Sequence, residues 1–139
     1  MMIREMRSSD IEQALALWNR SEGTSTSDTP SEIRRYLRRN PGGSFVAVDA
    51  GKLVGAVLGG HDGRRGSLWH LAVLPAYRRR NIGRRLVDRA VAVLAGQGIR
   101  KINLLVLGNN HGAIRFWRRL GWSRFTLANF SLRPRRPGP

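Results

Sequence analysis

Leu68-Trp69-His70-Leu71-Ala72-Val73-Leu74, followed by Ala76-Tyr77-Arg78-Arg79-Arg80-Asn81-Ile82-Gly83-Arg84-Arg85-Leu86, decides how this chain folds. The first run is an apolar strand pattern. The second is an arginine-rich turn opening an amphipathic helix that runs to about Gln97. Ile82, Leu86, Ala90 and Leu94 share one face of that helix, with Val87 and Val91 beside them. A strand, a short basic turn and a helix start form an anion site by construction. The first amides of a helix lack an intrahelical acceptor, and the helix dipole adds partial positive charge there. A pyrophosphate suits such a turn; the alternative is a solvated helix entry.

Working outward, Met2 to Met6 reads as a first strand. Ser8 or Ser9 then caps a helix with Ile11, Ala14, Leu15, Leu17 and Trp18 inward. Ser21 to Asp28 is small and polar and reads as a mobile loop. Thr29-Pro30-Ser31-Glu32 is a capping box with proline at the first helical position. The helix it starts carries Ile33, Tyr36 and Leu37 and ends before Pro41-Gly42-Gly43. Two strands, Ser44 to Val48 and Leu53 to Leu58, meet at a turn around Ala50-Gly51. Gly96 and Gly98 end the central helix, and Ile102 to Val106 reads as a buried strand. Gly108-Asn109-Asn110 begins a helix with Ala113, Ile114, Phe116, Trp117 and Leu120 inward, and Phe125 to Leu132 reads as a last strand or hairpin. The order β-α-α-β-β-β-α-β-α-β implies an α/β (α+β) fold, a mixed sheet with helices on both faces. Residues 1–132 form one expected domain, and 133–139 a disordered basic, proline-rich tail.

Composition bounds the function. With 139 residues and 41% hydrophobic content, the chain supports one domain with a real core. There is no cysteine, which excludes disulfides, thiolate metal sites and a cysteine nucleophile, and no metal site is expected. The start lacks the apolar core of a signal peptide and no run could span a membrane, so a cytoplasmic protein with no membrane partner is expected. The net charge of +16 suits a polyanionic partner: a nucleotide cofactor, RNA or an acidic protein. Lys52 and Lys101 are the only lysines, so arginine codon bias is the competing explanation. No zinc-finger spacing or RNA-binding aromatic signature accompanies the charge.

Leu71-Ala72-Val73 through Arg78-Arg79-Arg80-Asn81-Ile82-Gly83 resembles the cofactor motif of the Gcn5-related N-acetyltransferases (GNAT), written Q/R-x-x-G-x-G/A. Asn110, Ala113, Phe116, Trp117 and Leu120-Gly121-Trp122 resemble that family's later N-x-x-A-x-x-x-Y-x-x-x-G-F segment. Gly59 to Ser67 further resembles the small bacterial YpeA-like acetyltransferases. The likeness covers about Ser44 to Phe125 well and the first helices loosely. It implies a mostly antiparallel twisted sheet with a splayed strand pair that holds the cofactor. It also implies acetyl transfer from acetyl-CoA, as cosubstrate, to a primary amine: a small molecule, a peptide N-terminus or a lysine. Carried over by position, Leu71, Ala72 and Val73 would line the pantetheine arm. Arg78, Arg79, Arg80, Asn81, Ile82, Gly83 and Arg84 would wrap the pyrophosphate, and Asn110 and Trp117 would lie by the cofactor. Family members often dimerise, so the resemblance allows a homodimer, and nothing in the sequence decides it.

Three positions depart from the family pattern. Asn81 replaces the motif's first glycine, and asparagine is the next best residue for left-handed backbone. The frequent general-acid tyrosine falls at Trp117, whose indole does not supply a proton. Leu105 stands where the ribosomal-protein N-terminal acetyltransferases carry glutamate.

Direct transfer needs an amine stripped of its proton and a polarised thioester carbonyl. The resemblance offers the backbone amide of Val73 for the carbonyl. The sequence does not identify the base: the candidates are Asp62, in a glycine-rich loop, and His70, with a suitable intrinsic pKa, and the alternative is a water relay with no single base. Asp62 has an alternative as a turn aspartate bonded to its own loop. Strand alternation puts Ser67, Trp69 and Leu71 on one face and Leu68, His70 and Ala72 on the other, so His70 points away from the cleft unless a bulge shifts the register. Trp69 is the acceptor-site candidate. A second reading, motivated by Trp117, is a catalytically weak acyl-CoA-binding module with an RNA or ribosome-surface partner.

Overall fold

A computed structural model of the chain describes residues 1–137. Its elements are β1 (Met2–Glu5), α1 (Ile11–Arg20), α2 (Pro30–Arg39), β2 (Phe45–Asp49), β3 (Lys52–His61), β4 (Gly66–Val73), α3 (Ile82–Gly96), β5 (Ile102–Asn103) and α4 (His111–Arg119). The five strands lie in sequence order, each antiparallel to the next except β4 and β5, which run parallel. The sheet is thus mixed and mostly antiparallel. One face packs against Ile11, Ala14, Leu17 and Trp18 of α1 and Ile33 of α2. The other packs against Ile82, Leu86, Val87, Ala90 and Leu94 of α3, with Phe116 and Trp117 of α4 and Leu120 just after it beside them.

Local chemistry sets the element boundaries. The capping box at α2 forms: the Glu32 amide donates to Thr29 Oγ1 at 3.2 Å, and the Thr29 amide to Glu32 Oε1 at 2.8 Å. The β2–β3 hairpin turns through Ala50 and Gly51, both at positive φ. At α1 neither serine caps. Ser8–Asp10 form a 3-10 turn instead, and the buried Asp10 carboxylate takes the Arg7 amide at 2.8 Å and both Arg4 guanidinium nitrogens at 2.8 and 2.9 Å. Burial alone would raise the Asp10 pKa, but the Arg4 and Arg7 hydrogen bonds outweigh it and hold the carboxyl below its usual value. A paired carboxylate is the stronger acceptor and displaces the hydroxyls.

Two further sequence expectations are corrected. Only Ile102 and Asn103 pair as strand; Leu104 to Val106 continue without a ladder, and Leu105 is exposed. Phe125 to Leu132 form neither strand nor hairpin, and Phe125, Leu127, Phe130 and Leu132 are exposed. Apolar alternation there has no paired edge to join, because β5 ends at Asn103. Ser21 to Asp28 is a loop, in which Thr24 Oγ1 donates to the Trp18 carbonyl at 2.9 Å and the Thr26 amide to Asn19 Oδ1 at 2.9 Å. Of the tail, residues 133–137 are exposed and without regular structure, and 138–139 lie outside the described residues.

Candidate functional site

β4 and β5 pair only through Gly66–Ile102 and Ser67–Asn103. Beyond that point they part, so Leu68 to Val73 have no strand partner on their β5 side among the described residues. A cleft of about 230 Å³ opens between them. Trp69, His70 and Leu71 form one wall, and Leu104 to Leu107 the other. Asn110, Ala113 and Trp117 of α4 and Glu22 to Ser25 of the α1–α2 loop close its ends.

A β-bulge sets which side chains reach this cleft. Ala56 stands opposite Ala72, but Leu58 stands opposite Trp69, so Val57 alone faces both His70 and Leu71. His70 takes a left-handed φ of 56°. The extra residue shifts the alternation. Leu68, Leu71 and Val73 pack on the α3 side, while Ala72 packs on the α1 side. Trp69 and His70 therefore both face α1 and α2. The His70 ring lies 5.2 Å from the Trp18 ring and 6.4 Å from that of Trp69. The expected alternation is thus wrong at its centre: His70 is off the α3 core and in the cleft wall. Its Nε2 lies 3.4 Å from Asp28 Oδ2. With Nε2–H donating to that carboxylate, Nδ1 would carry the acceptor lone pair.

At the strand's far end, Pro75–Tyr77 make a 3-10 turn and α3 starts at Ile82. Arg79 and Asn81 both sit at positive φ, 65° and 59°. Asn81 thus adopts the backbone for which glycine is the usual choice. The first helical bond runs from the Arg85 amide to the Asn81 carbonyl, 2.9 Å. The amides of Ile82, Gly83 and Arg84 precede it, the Asn81 side chain does not cap them, and no acidic residue lies in the first turn. Arg78 Nε donates to the Val73 carbonyl at 3.2 Å, tying this loop to the end of β4. Arg80 lies over the Tyr77 ring at 5.0 Å, and the Tyr77 hydroxyl donates to Asp49 at 2.7 Å. That hydrogen bond is the main cause holding the Asp49 carboxyl below its usual pKa. A Cβ on Gly83 would stand 3.3 Å from the Phe116 ring, so this glycine lets α3 and α4 approach.

Comparison with known proteins decides the family. Residues 4–122 match the model of the acetyltransferase (GNAT) family. The chain belongs to the GNAT acetyltransferases. This acetyltransferase is 38% identical over 121 residues to the acetyltransferase SG1711 of Sodalis glossinidius, covering 86% of this chain and 85% of that one. It is 36% identical to the acetyltransferase ECA0875 of Pectobacterium atrosepticum, covering 86% of each. Among solved structures it superposes on Ard1 from Thermoplasma volcanium with a TM-score of 0.80 at 25% identity, covering 90% of this chain and 84% of that one. AAC(6')-Iy in complex with the bisubstrate analogue CoA-S-monomethyl-acetylneamine shares the fold with a TM-score of 0.77 at 17% identity, covering 96% of this chain and 97% of that one. The acetyltransferase uses acetyl-CoA as cosubstrate, as its family does. No helix among the described residues is long and apolar enough to cross a membrane.

The expected site residues divide within this frame. Trp69, His70, Leu71, Asn110 and Trp117 come together in one cleft. The Ala72 side chain is buried against α1 and does not. Asp62 lies in a neighbouring cavity, where Oδ1 accepts from the Arg64 and Arg65 amides at 3.0 and 2.9 Å. Those backbone hydrogen bonds lower its pKa and match the turn-forming alternative. Asn110 Oδ1 caps α4 through the Ala113 amide at 3.1 Å, and its Nδ2 packs against Gly23 across the cleft. Trp117 stands edge-on between Phe116, at 5.1 Å, and Trp122, at 5.0 Å. Sequence reasoning missed Asp28 and Glu22, because nothing in a small polar loop signals which acid will meet the strand.

Proposed function

We propose that this acetyltransferase delivers the acetyl group to a primary amine held in the cleft between β4 and β5, and that His70 takes the amine's proton. The amine belongs to a small molecule, a peptide N-terminus or a lysine side chain. The single observation that carries the assignment is the bulge, which turns the His70 ring away from the α3-side core to the cleft wall beside Trp18, with Nε2 3.4 Å from Asp28. A positive φ at a non-glycine residue is a strained arrangement of the kind that clusters at active sites. Asp28 orients the ring and steadies the imidazolium that forms; Nδ1 receives the proton.

The chain's own features fit acetyl-CoA. The unpartnered edge of Leu71-Ala72-Val73 suits an extended arm that hydrogen-bonds like a strand. The free amides of Ile82, Gly83 and Arg84 suit phosphate oxygens, with Arg78, Arg79, Arg80 and Asn81 wrapping them. Asn110 and Trp117 line the arm from α4. Acetyl-CoA supplies an activated thioester, and a thiolate leaves without a proton donor, so tryptophan at position 117 is compatible with turnover. The proposed setting is the cytoplasm, where that thioester is available. The test is CoA release from acetyl-CoA across a panel of primary amines. Release well above hydrolysis, with an acetylated amine found by mass spectrometry, is expected. CoA binding without transfer to any amine would overturn the reading.

A further inference from the structure

A second, larger cavity of about 430 Å³ adjoins the cleft, and Trp69 lines both. It lies between the end of α2 and the β3–β4 turn. Tyr36 and Asn40 of α2 sit directly on the backbone of Gly60, where a Cβ would stand 2.6 Å from the Tyr36 hydroxyl. Asn40 Oδ1 accepts the His61 amide at 2.9 Å, which ties α2 to the end of β3. The Tyr36 hydroxyl is buried in the cavity wall with no hydrogen-bond partner among the described residues. Burial pushes its pKa up to about 12, so the ring packs in the wall as a neutral phenol.

The two cavities carry opposite charge. The cleft has Glu22 in its wall and Asp28 against His70. The second cavity has Arg64 and Arg65. The Asp62 carboxylate accepts both of their amides and lies 3.8 Å from the Arg64 guanidinium, so it offsets Arg64 in part. Arg65 has no carboxylate partner among the described residues; its Nη1 donates only to the Arg64 carbonyl, at 3.2 Å. Cation-attracting and anion-attracting ends are therefore joined past one exposed indole. At about 3.3 Å per strand residue, the five steps from Arg65 to His70 span roughly 16 Å.

We infer that the acceptor is an elongated amine with an anionic far end, its amine at His70, its middle on Trp69 and its carboxylate or phosphate at Arg65 and Arg64. This rests on the acetyl-transfer reading above and adds the acceptor's class to it. The charge order explains why acids gather at the cleft of so basic a chain: they draw in the ammonium end, while the arginines select what trails behind it.

The probes are four peptide amides: Ala-Ala-Ala-Glu, Ala-Ala-Ala-Gln, Ala-Ala-Ala-phosphoserine and Ala-Glu-Ala-Ala. Their Kd values are measured by Trp fluorescence on the CoA-loaded protein, and acetylation rates separately. The expected result is five- to tenfold tighter binding of a peptide acidic at position four than of its glutamine or position-two counterparts. Glutamate against phosphoserine tells which anion fits. R64A/R65A, or about 0.5 M salt, should equalise acidic and neutral peptides. The variant's thermal midpoint reports its folding. Equal binding of all peptides, no binding of any, or equal weakening of all by R64A/R65A overturns the inference. A retained preference without acetylation would overturn the transfer reading and leave the anion pocket standing.

Discussion

His70 Nε2 and the Asp28 carboxylate lie 3.4 Å apart, 42 residues distant in sequence, and the Trp18 ring stands 5.2 Å from the imidazole. The α1–α2 loop thereby reaches the bulge of β4. H70A and H70Q should lower kcat by about 10²- to 10⁴-fold, the usual contribution of general acid–base catalysis. Added imidazole should restore part of the H70A rate and none of the H70Q rate, a response that a packing role would not produce. D28N should give a smaller loss in kcat and a raised KM for the amine, because its charge also draws in the ammonium end. Full activity in H70Q would remove His70 from the chemistry.

Gly83 carries two burdens, because it lies in the first turn of α3 and against Phe116. G83V should raise the acetyl-CoA Kd by tenfold or more, a loss of at least about 1.4 kcal/mol. Overpacking at Phe116 should also cost about 1–3 kcal/mol of stability. Calorimetry and thermal unfolding separate the two effects. G83V with wild-type affinity would show that the α3 turn does not hold the cofactor.

Salt should divide the amides of that turn from its arginines. Going from about 0.01 M to 1 M salt shortens the Debye length from roughly 30 Å to 3 Å. Arg78, Arg79, Arg80 and Arg84 are exposed and should lose most of their contribution. Binding that persists at high salt, measured by calorimetry, reports the amides. An R79A/R80A variant should show a shallower salt dependence than the wild type; an unchanged slope would exclude those side chains.

Asp10 and Asp49 both have folded pKa values below their ordinary ones. A depressed carboxylate pKa contributes stability that is fully present above the unfolded value, near 3.9, and lost as pH falls through the folded value. Stability should therefore decline below about pH 4, and more shallowly in D10N, which never carries that charge. At neutral pH, D10N leaves Arg4 without its partner. It should cost about 3 kcal/mol, the low end for a broken buried pair, because Arg4 is partly exposed. Urea titrations at pH 7 and pH 3.5 measure both.

Much of this architecture is legible because its local signals are strong. Thr29 and Glu32 announce the start of α2, Ala50-Gly51 the hairpin, and Asn81 keeps the left-handed turn before α3. The bulge at His70 is different. It needs no glycine and leaves no mark on apolar spacing, yet one added residue reverses the face of every residue beyond it. The position of His70 follows from that reversal, and so does its partnership with an acid from a polar loop. The opposite failure occurs at Phe125 to Leu132, where alternation reads as a strand but no edge receives it.

The parting of β4 from β5 leaves the sheet unfinished along Leu68 to Val73. A cofactor arm lying there would complete it, so ligand and fold would share hydrogen bonds. Acetyl-CoA at about 100 times its Kd would then add about 2.7 kcal/mol to the native state. In a protein of this size the melting point should climb by several degrees. The enzyme's resistance to unfolding, and with it its lifetime against proteases, would track the supply of its own acyl donor.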